Sequence, residues 1–351
     1  MPITLIITVL LFILAICFKK SKVLFALQII WITIMAGFNT NAADFQNNYN
    51  TYIAANNRDK WWNLYTWLAT YFKEKMIDYV HFNFFLVCIG MILIAITIVR
   101  MTKYPNLVIS MYYIFPFIDN IIQKRGFYAV AVLTYALYFL LKEKNKFNYV
   151  IYMFLVFVAF QFHASALLLF TVPFFMMIPL KIERDIALAS VLFCNILSGV
   201  ISKVATAVLP TSLQEKNTLY FSTLASSASL VHTLVWIVWQ LSFLLLIYYI
   251  YRRKESIDHI DDVMIRLNLW GTILVLFYAY DPVFTRVFRP ILILDLIYVV
   301  NTLNYKDRKN RLTILGMFGV CGISFILFDL MSQWGFDYMV LQIFENNLMF
   351  N

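Results

Sequence analysis

Glycine and cysteine are scarce in this chain, which holds 9 Gly and 4 Cys among 351 residues. So few glycines leave no GxGxxG or P-loop pattern to cradle phosphates, which argues against nucleotide hydrolysis. The cysteines (Cys17, Cys88, Cys194, Cys321) stand singly inside apolar runs. They make no CxxC or Cys/His spacing, so neither a disulfide framework nor a zinc site is expected. No DxD pair suggests another metal, and no cofactor is implied. Charge is thin as well: Asp, Glu, Lys and Arg make up 13% of the chain, where a soluble domain carries about 25%. No stretch has the composition of a large soluble domain.

What fills the chain instead is apolar. Hydrophobic residues reach 62%, aromatics 18% and mean hydropathy +0.76. A soluble fold, disorder and a small disulfide scaffold are all excluded by that composition. A helix crossing a hydrocarbon core of about 30 Å needs roughly 20 residues. Apolar runs fall at 3–18, 23–38, 82–99, 105–118, 126–141, 147–161, 164–180, 186–201, 230–250, 267–280, 290–304 and 312–330. These predict an all-α polytopic transmembrane bundle of about twelve spans (roughly 10–14). The runs are apolar on every face rather than alternating, which excludes a membrane β-barrel. Gly316, Gly319 and Gly322 recur at three-residue spacing and suggest a helix-packing face or a flexible stretch.

The net charge of +9 is a topology signal rather than a nucleic-acid footprint. With the N-terminus outside, 18 of the 28 Lys and Arg residues fall in short cytoplasmic connections. These are Lys19, Lys20 and Lys22; Arg100 and Lys103; Lys142, Lys144 and Lys146; Lys181 and Arg184; Arg252, Arg253, Lys254 and Arg266; and Lys306, Arg308, Lys309 and Arg311. This is the positive-inside rule at alternate loops. The first span is followed by lysines, with no small-residue cleavage site, and reads as a retained anchor. The whole of 1–351 is expected to be one integral-membrane domain with two sizeable external loops.

The first loop, 39–81, is rich in Asn and aromatics, and Trp61, Trp62, Tyr65, Trp67, Tyr71 and Phe72 suit an amphipathic interfacial helix. Asp44 is placed to open an earlier helix. The same aromatic faces would stack on sugars, with Trp61, Trp62 and Tyr49 as platforms and Asp281 as a hydroxyl partner. The second loop, 202–229, is Ser/Thr/Ala-rich and reads as a lid, a re-entrant segment or a plain surface loop.

Charges near the outer helix ends carry the functional argument, because charge at membrane depth is costly and usually faces a cavity. Asp119, Lys124 and Arg125 lie between the fourth and fifth spans. Asp281, Arg286 and Arg289 lie where the tenth gives way to the eleventh, with Asp295 beyond them. Three arginines on the side that the positive-inside rule leaves poor in cations suit diphosphate, which the guanidinium fork matches. Pairing with Asp281 or Asp295, or snorkelling to headgroups, explains any one arginine equally well. His163, flanked by apolar residues, is either a hydrogen-bonded packing residue or a general base. His81 and His232 lack charged neighbours of that kind, and His259 belongs to a cytoplasmic connection.

Three segments resemble the EpsG family of exopolysaccharide polymerases, which are similar to Wzy-type O-antigen polymerases. They are Asp44, Phe45, Tyr49 and Tyr52; Pro116, Asp119, Arg125 and Ala129; and Phe162–His163–Ala164–Ser165–Ala166–Leu167. Gly126 follows Arg125 where the family usually has Gln, and Trp61, Trp62 and Asn63 replace a Glu-Pro element. The resemblance implies a metal-independent glycosyltransferase at the outer face of the bacterial cytoplasmic membrane. It would join undecaprenyl-diphosphate-linked oligosaccharide units to a growing glycan, with a flippase and a chain-length regulator as partners. Arg125, Arg286, Arg289 and Lys124 would then bind diphosphate, with Arg286 or Arg289 filling the family's late-span arginine role. His163 with Asp119 or Asp44 would activate the acceptor hydroxyl. A flippase of lipid-linked oligosaccharide and an O-antigen-ligase-like transferase are the rival readings.

Overall fold

A computed structural model describes residues 2–56, 63–142, 145–194, 196–197, 230–278, 282–304, 308–331 and 335–350. Trp61, Trp62, Asp281 and the 202–229 loop lie outside them. The described residues are predominantly helical, without a strand ladder, and each apolar stretch expected to span contains helix among its described residues. Three helices are long and apolar enough to cross a membrane: Tyr79–Met101, Thr233–Arg253 and Asn310–Leu330. Shorter apolar helices accompany them at Ile3–Cys17, Lys22–Gly37, Lys146–Phe160 and Ala164–Phe175. The helix Lys146–Phe160 leaves Phe147, Val150, Phe154 and Phe157 exposed along one stripe. Ile3, Ile6, Leu10 and Ile13 do the same on the first helix. Apolar stripes of this size fit lipid rather than water.

The chain divides into two compact units. The first comprises Met1–Leu140, Asn145–Leu167 and Leu296–Asn351; the second comprises Leu141–Lys144 and Leu168–Asp295. The first unit contains α1 (Ile3–Cys17), α2 (Lys22–Gly37), α3 (Phe45–Ala54), α4 (Leu64–Glu74), α5 (Tyr79–Met101), α6 (Pro105–Ile114) and α7 (Phe117–Ile122). It also contains most of α8 (Lys124–Lys142) and all of α9 (Lys146–Phe160). α2 and α5 pack closely because Gly37 has no side chain: a Cβ there would stand 2.5 Å from Phe84 Cδ2. The expected packing face at Gly319 and Gly322 is absent, since a Cβ at either would meet nothing within 4 Å.

Buried polar bonds show which loops share an end of this unit. At one end, Asn106 donates to the Phe18 and Ser21 carbonyls at 2.6 and 2.8 Å, and Gln28 donates to Asn106 at 2.8 Å. Lys20 lies 5.0 Å from the Tyr104 ring, so the basic connections 19–22 and 100–103 meet there. At the other end Asn39, fully buried, donates to the Ile343 and Asn346 carbonyls and accepts from the Asn41 and Ala42 amides. Thr4 donates to the Phe344 carbonyl, and Asn83 holds the Ala36 and Gly37 carbonyls. Starts of α1, α5 and α8, the end of α2 and the 342–350 segment therefore gather together.

The 39–81 segment folds into α3, which follows Asp44, and the aromatic helix α4. Asn63 caps α4 by accepting from the Thr66 amide, and Asp78 caps α5 through the Val80 and His81 amides. Asp44 precedes α3 as expected, but its carboxylate makes no cap bond and accepts instead from the Asn47 and Asn48 side chains. Lys73 donates to the Ile53 and Ala55 carbonyls, and the Tyr52 hydroxyl to Ile77 at 2.6 Å. These bonds fold α3 and α4 together over the start of α5. On α4, Tyr65 and Ala69 face inward while Trp67 and Tyr71 stay about half exposed.

In the second unit, Trp239 sits edge-on to Tyr278 and Phe288, and Tyr278 donates to Gln240. Asn268 donates to the buried Asp295 carboxyl at 2.8 Å.

Candidate functional site

The end of the first unit that carries α3 and α4 brings several expected residues into one neighbourhood. Arg125, in the first turn of α8, lays its guanidinium 4.9 Å from the centre of the Tyr65 ring. Its Nη2 donates to the Phe162 carbonyl at a long 3.4 Å, and its Nε is buried without a hydrogen-bond partner among the described residues. A guanidinium offers five N–H donors, so most of this one's capacity is unspent. Burial pushes the Tyr65 phenol up, with Arg125 pulling it back, so the ring stays neutral beside the cation.

Phe162 is followed directly by His163, which links the two motifs singled out in the sequence. His163 precedes the 3-10 helix Ala164–Thr171 and acts on its start. Its Nδ1 receives the Ser165 amide at 3.2 Å and lies 2.7 Å from the Ser165 hydroxyl. An amide N–H can only donate, so Nδ1 is the acceptor, and the neutral ring carries its proton on Nε2. His163 is thereby both a helix-start residue and a half-buried ring presenting an Nε2–H.

Lys124 adjoins Arg125 but is enclosed, at 1% exposure. Its ammonium donates to the Asn39 carbonyl at 2.9 Å and stands 5.2 and 5.8 Å from the Phe45 and Tyr79 rings. It ties α8 to the 39–45 turn. Asp44, half-buried, is near enough for its charge to act on Lys124 and Tyr79. Tyr49 is 39% exposed and packs edge-on against Tyr79. Asp119 is buried within α7 at 3% exposure, so it has no open edge. In the second unit, Arg286 is half-buried on the 3-10 helix Pro282–Val287, and Arg289 is buried where Arg289–Asn301 begins.

Tyr65 and Tyr79 were not singled out as site residues from sequence. Among 22 Tyr and 33 Phe they carry no distinguishing spacing, and only their position beside Arg125 and Lys124 sets them apart.

The model of the EpsG family matches residues 22–339. The chain belongs to the EpsG family. No curated protein and no solved structure matches it. All three motif segments that resemble the family lie inside the matched range, and two of them, around Arg125 and His163, meet at this site. Membership gives an EpsG-family polymerase and a role in exopolysaccharide synthesis in a membrane. Among the described residues no cluster of His, Cys, Asp and Glu is arranged to hold a metal ion.

Proposed function

We propose that this EpsG-family protein is a polysaccharide polymerase of the bacterial cytoplasmic membrane, acting at its outer face. It would transfer a glycan from undecaprenyl diphosphate to the terminal sugar of another lipid-linked repeat unit. The bundle of about twelve spans is read as one membrane domain with its N-terminus outside; the gathering of connections 19–22 and 100–103 at one end of the first unit supports that orientation. The observation that carries the reading is Arg125, whose guanidinium is clamped over Tyr65 with its N–H groups largely unspent, next to the Phe162–His163 turn.

In the proposed reaction an acceptor hydroxyl attacks the anomeric carbon of the donor sugar. The bond from that carbon to the diphosphate oxygen breaks, and undecaprenyl diphosphate leaves with the electron pair. Because the leaving group is already activated, the transfer needs no nucleotide. Arg125 would carry the diphosphate charge as it grows, through an oxocarbenium-like transition state; Arg286 and Arg289 remain proposed for diphosphate binding in the second unit. Lys124 would hold the 39–45 turn against α8 and add positive potential. His163, with Nδ1 already accepting, would donate from Nε2 to the leaving oxygen instead of serving as base. Asp44, half-buried and accepting from the Asn47 and Asn48 side chains, would take the acceptor's proton. Asp119, being buried, would position α7. Tyr49, Trp61, Trp62 and Asp281 remain the residues proposed for sugar contact.

Purified full-length protein supplied with lipid-linked repeat units should yield a ladder of longer glycans and free undecaprenyl diphosphate, with or without chelator. His163→Ala and Arg289→Ala variants, at equal expression, should yield single units. Units moved across the bilayer without lengthening would instead identify a flippase. Transfer only to a non-glycan-lipid acceptor would identify a ligase.

A further inference from the structure

Tyr79 is the first residue of α5 and is 2% exposed, yet its hydroxyl has no hydrogen-bond partner among the described residues. A buried unsatisfied hydroxyl costs about 1–3 kcal/mol, so an orphan of this kind calls for an explanation. Its ring is not loosely held. Phe45 and Tyr49 meet it edge-on at 5.4 and 6.0 Å, Tyr52 tilts against it at 5.7 Å, and the Lys124 ammonium lies 5.8 Å from its centre. The packing therefore fixes where the hydroxyl points, while nothing among the described residues takes up its proton.

The second orphan of this neighbourhood is the buried Nε of Arg125. The Tyr79 ring lies 5.8 Å from the Lys124 ammonium, and Arg125 is the next residue of α8, so the two unsatisfied donors stand at one helix start, where the charges of Asp44 and Arg125 both reach the hydroxyl. A neutral phenol and a guanidinium are both donors. Together they match an acceptor-rich anion, because a phosphoryl group offers several oxygens and a charge-assisted bond is about twice as strong as a neutral one. A sugar hydroxyl would satisfy one donor without using the cation.

We infer that Tyr79 is a further substrate-contacting residue, its hydroxyl and the Arg125 guanidinium holding oxygens of the same phosphoryl group of the lipid-linked substrate. The inference rests on the polymerase reading for the identity of that substrate, while the anion site itself does not.

The test uses full-length protein in detergent with inorganic diphosphate as probe, binding being followed by calorimetry and thermal shift. Wild type should bind, Tyr79→Phe should weaken binding about tenfold or more with an unliganded midpoint at or above that of wild type, and Arg125→Ala should abolish it. Tyr113→Phe is the matched control. That residue also has a buried hydroxyl without a partner, but it lies on α6 against Phe117. It should bind like wild type. Equal binding by Tyr79→Phe and wild type, equal loss in Tyr113→Phe, or no binding by wild type would each overturn the inference. With lipid-linked units, Tyr79→Phe should raise KM more than it lowers kcat. Tyr79-dependent diphosphate binding without any glycan lengthening would leave the anion site standing and remove the polymerase reading instead.

Discussion

Two arginines, one in each unit, are used in opposite ways. Arg266 spends its guanidinium within the protein: Nε donates to Asp262 at 2.9 Å, and Nη1 donates to Glu183 at 2.5 Å and to the Ile178 carbonyl at 2.9 Å. Arg125 makes one long bond, rests on an aromatic face and leaves a buried Nε unsatisfied. Desolvating a guanidinium is costly, and Arg266 offsets that cost with two carboxylates. Among the described residues Arg125 offsets it through Tyr65, a contact of about 0.5–2 kcal/mol, and one long bond to the Phe162 carbonyl. The first arrangement closes a structural joint. The second keeps its donors ready for an anion that arrives later.

Substitution separates the two. Arg125→Ala should lower glycan polymerisation about 100-fold or more, the scale seen when one charge-stabilising donor is lost. Its thermal midpoint should stay near wild type, because few protein contacts go with it. Arg125→Lys should not restore activity, since an ammonium lacks the planar fork and stacks less well on Tyr65. A large fall in midpoint with activity retained per folded molecule would reverse the comparison. Arg266→Ala should do the opposite. It leaves Glu183, whose side chain is fully enclosed, without its cation, which costs about 3 kcal/mol. The readout is the unfolding midpoint in detergent, with turnover per folded molecule unchanged.

Part of this contrast was readable in the sequence. Apolar runs gave the helices because a backbone in hydrocarbon must satisfy its own hydrogen bonds. Arg125 and His163 stood out because a cation and an imidazole are expensive near a membrane. What could not be read was how each charge is spent. Lys124 and Arg125 are neighbours of like charge, yet one is enclosed by Asn39, Phe45 and Tyr79 and the other is held open over Tyr65. Adjacent helix residues point about 100° apart, so side-chain surroundings diverge where sequence position does not. Asp119 is swallowed by α7 for the same reason. Tyr79 escaped notice because an orphaned hydroxyl is a property of its neighbours, not of its own identity.

Lys124 gives an intermediate test. Lys124→Met keeps the bulk of the side chain but loses the bond to the Asn39 carbonyl and two aromatic contacts. A loss of about 1–2 kcal/mol in stability is expected, with inorganic diphosphate still bound. If diphosphate binding fell as far as in Arg125→Ala, Lys124 would belong with the unspent cations and not with the joints.

The smallest effect concerns the pH dependence of the closed joint. Burial pushes the Glu183 carboxyl up from 4.5 to about 7, with Arg266 pulling it back and Asp262 pushing it further up. A carboxyl whose value rises on folding holds its proton more tightly in the folded state. Its stabilising contribution is therefore complete below about 4.5 and is lost as pH rises through about 7. Glu183→Gln removes the titration while keeping size and a hydrogen-bonding oxygen for Arg266. The midpoint of wild type, measured relative to this variant, should fall between roughly pH 5 and pH 8. No such fall should appear when turnover of folded enzyme is measured over the same range, because this pair has no role in the proposed chemistry. A wild-type-minus-variant difference that stays flat with pH would mean that Arg266 already holds the carboxylate ionised. The joint would then be an ordinary ion pair, and the contrast with Arg125 would rest on geometry alone.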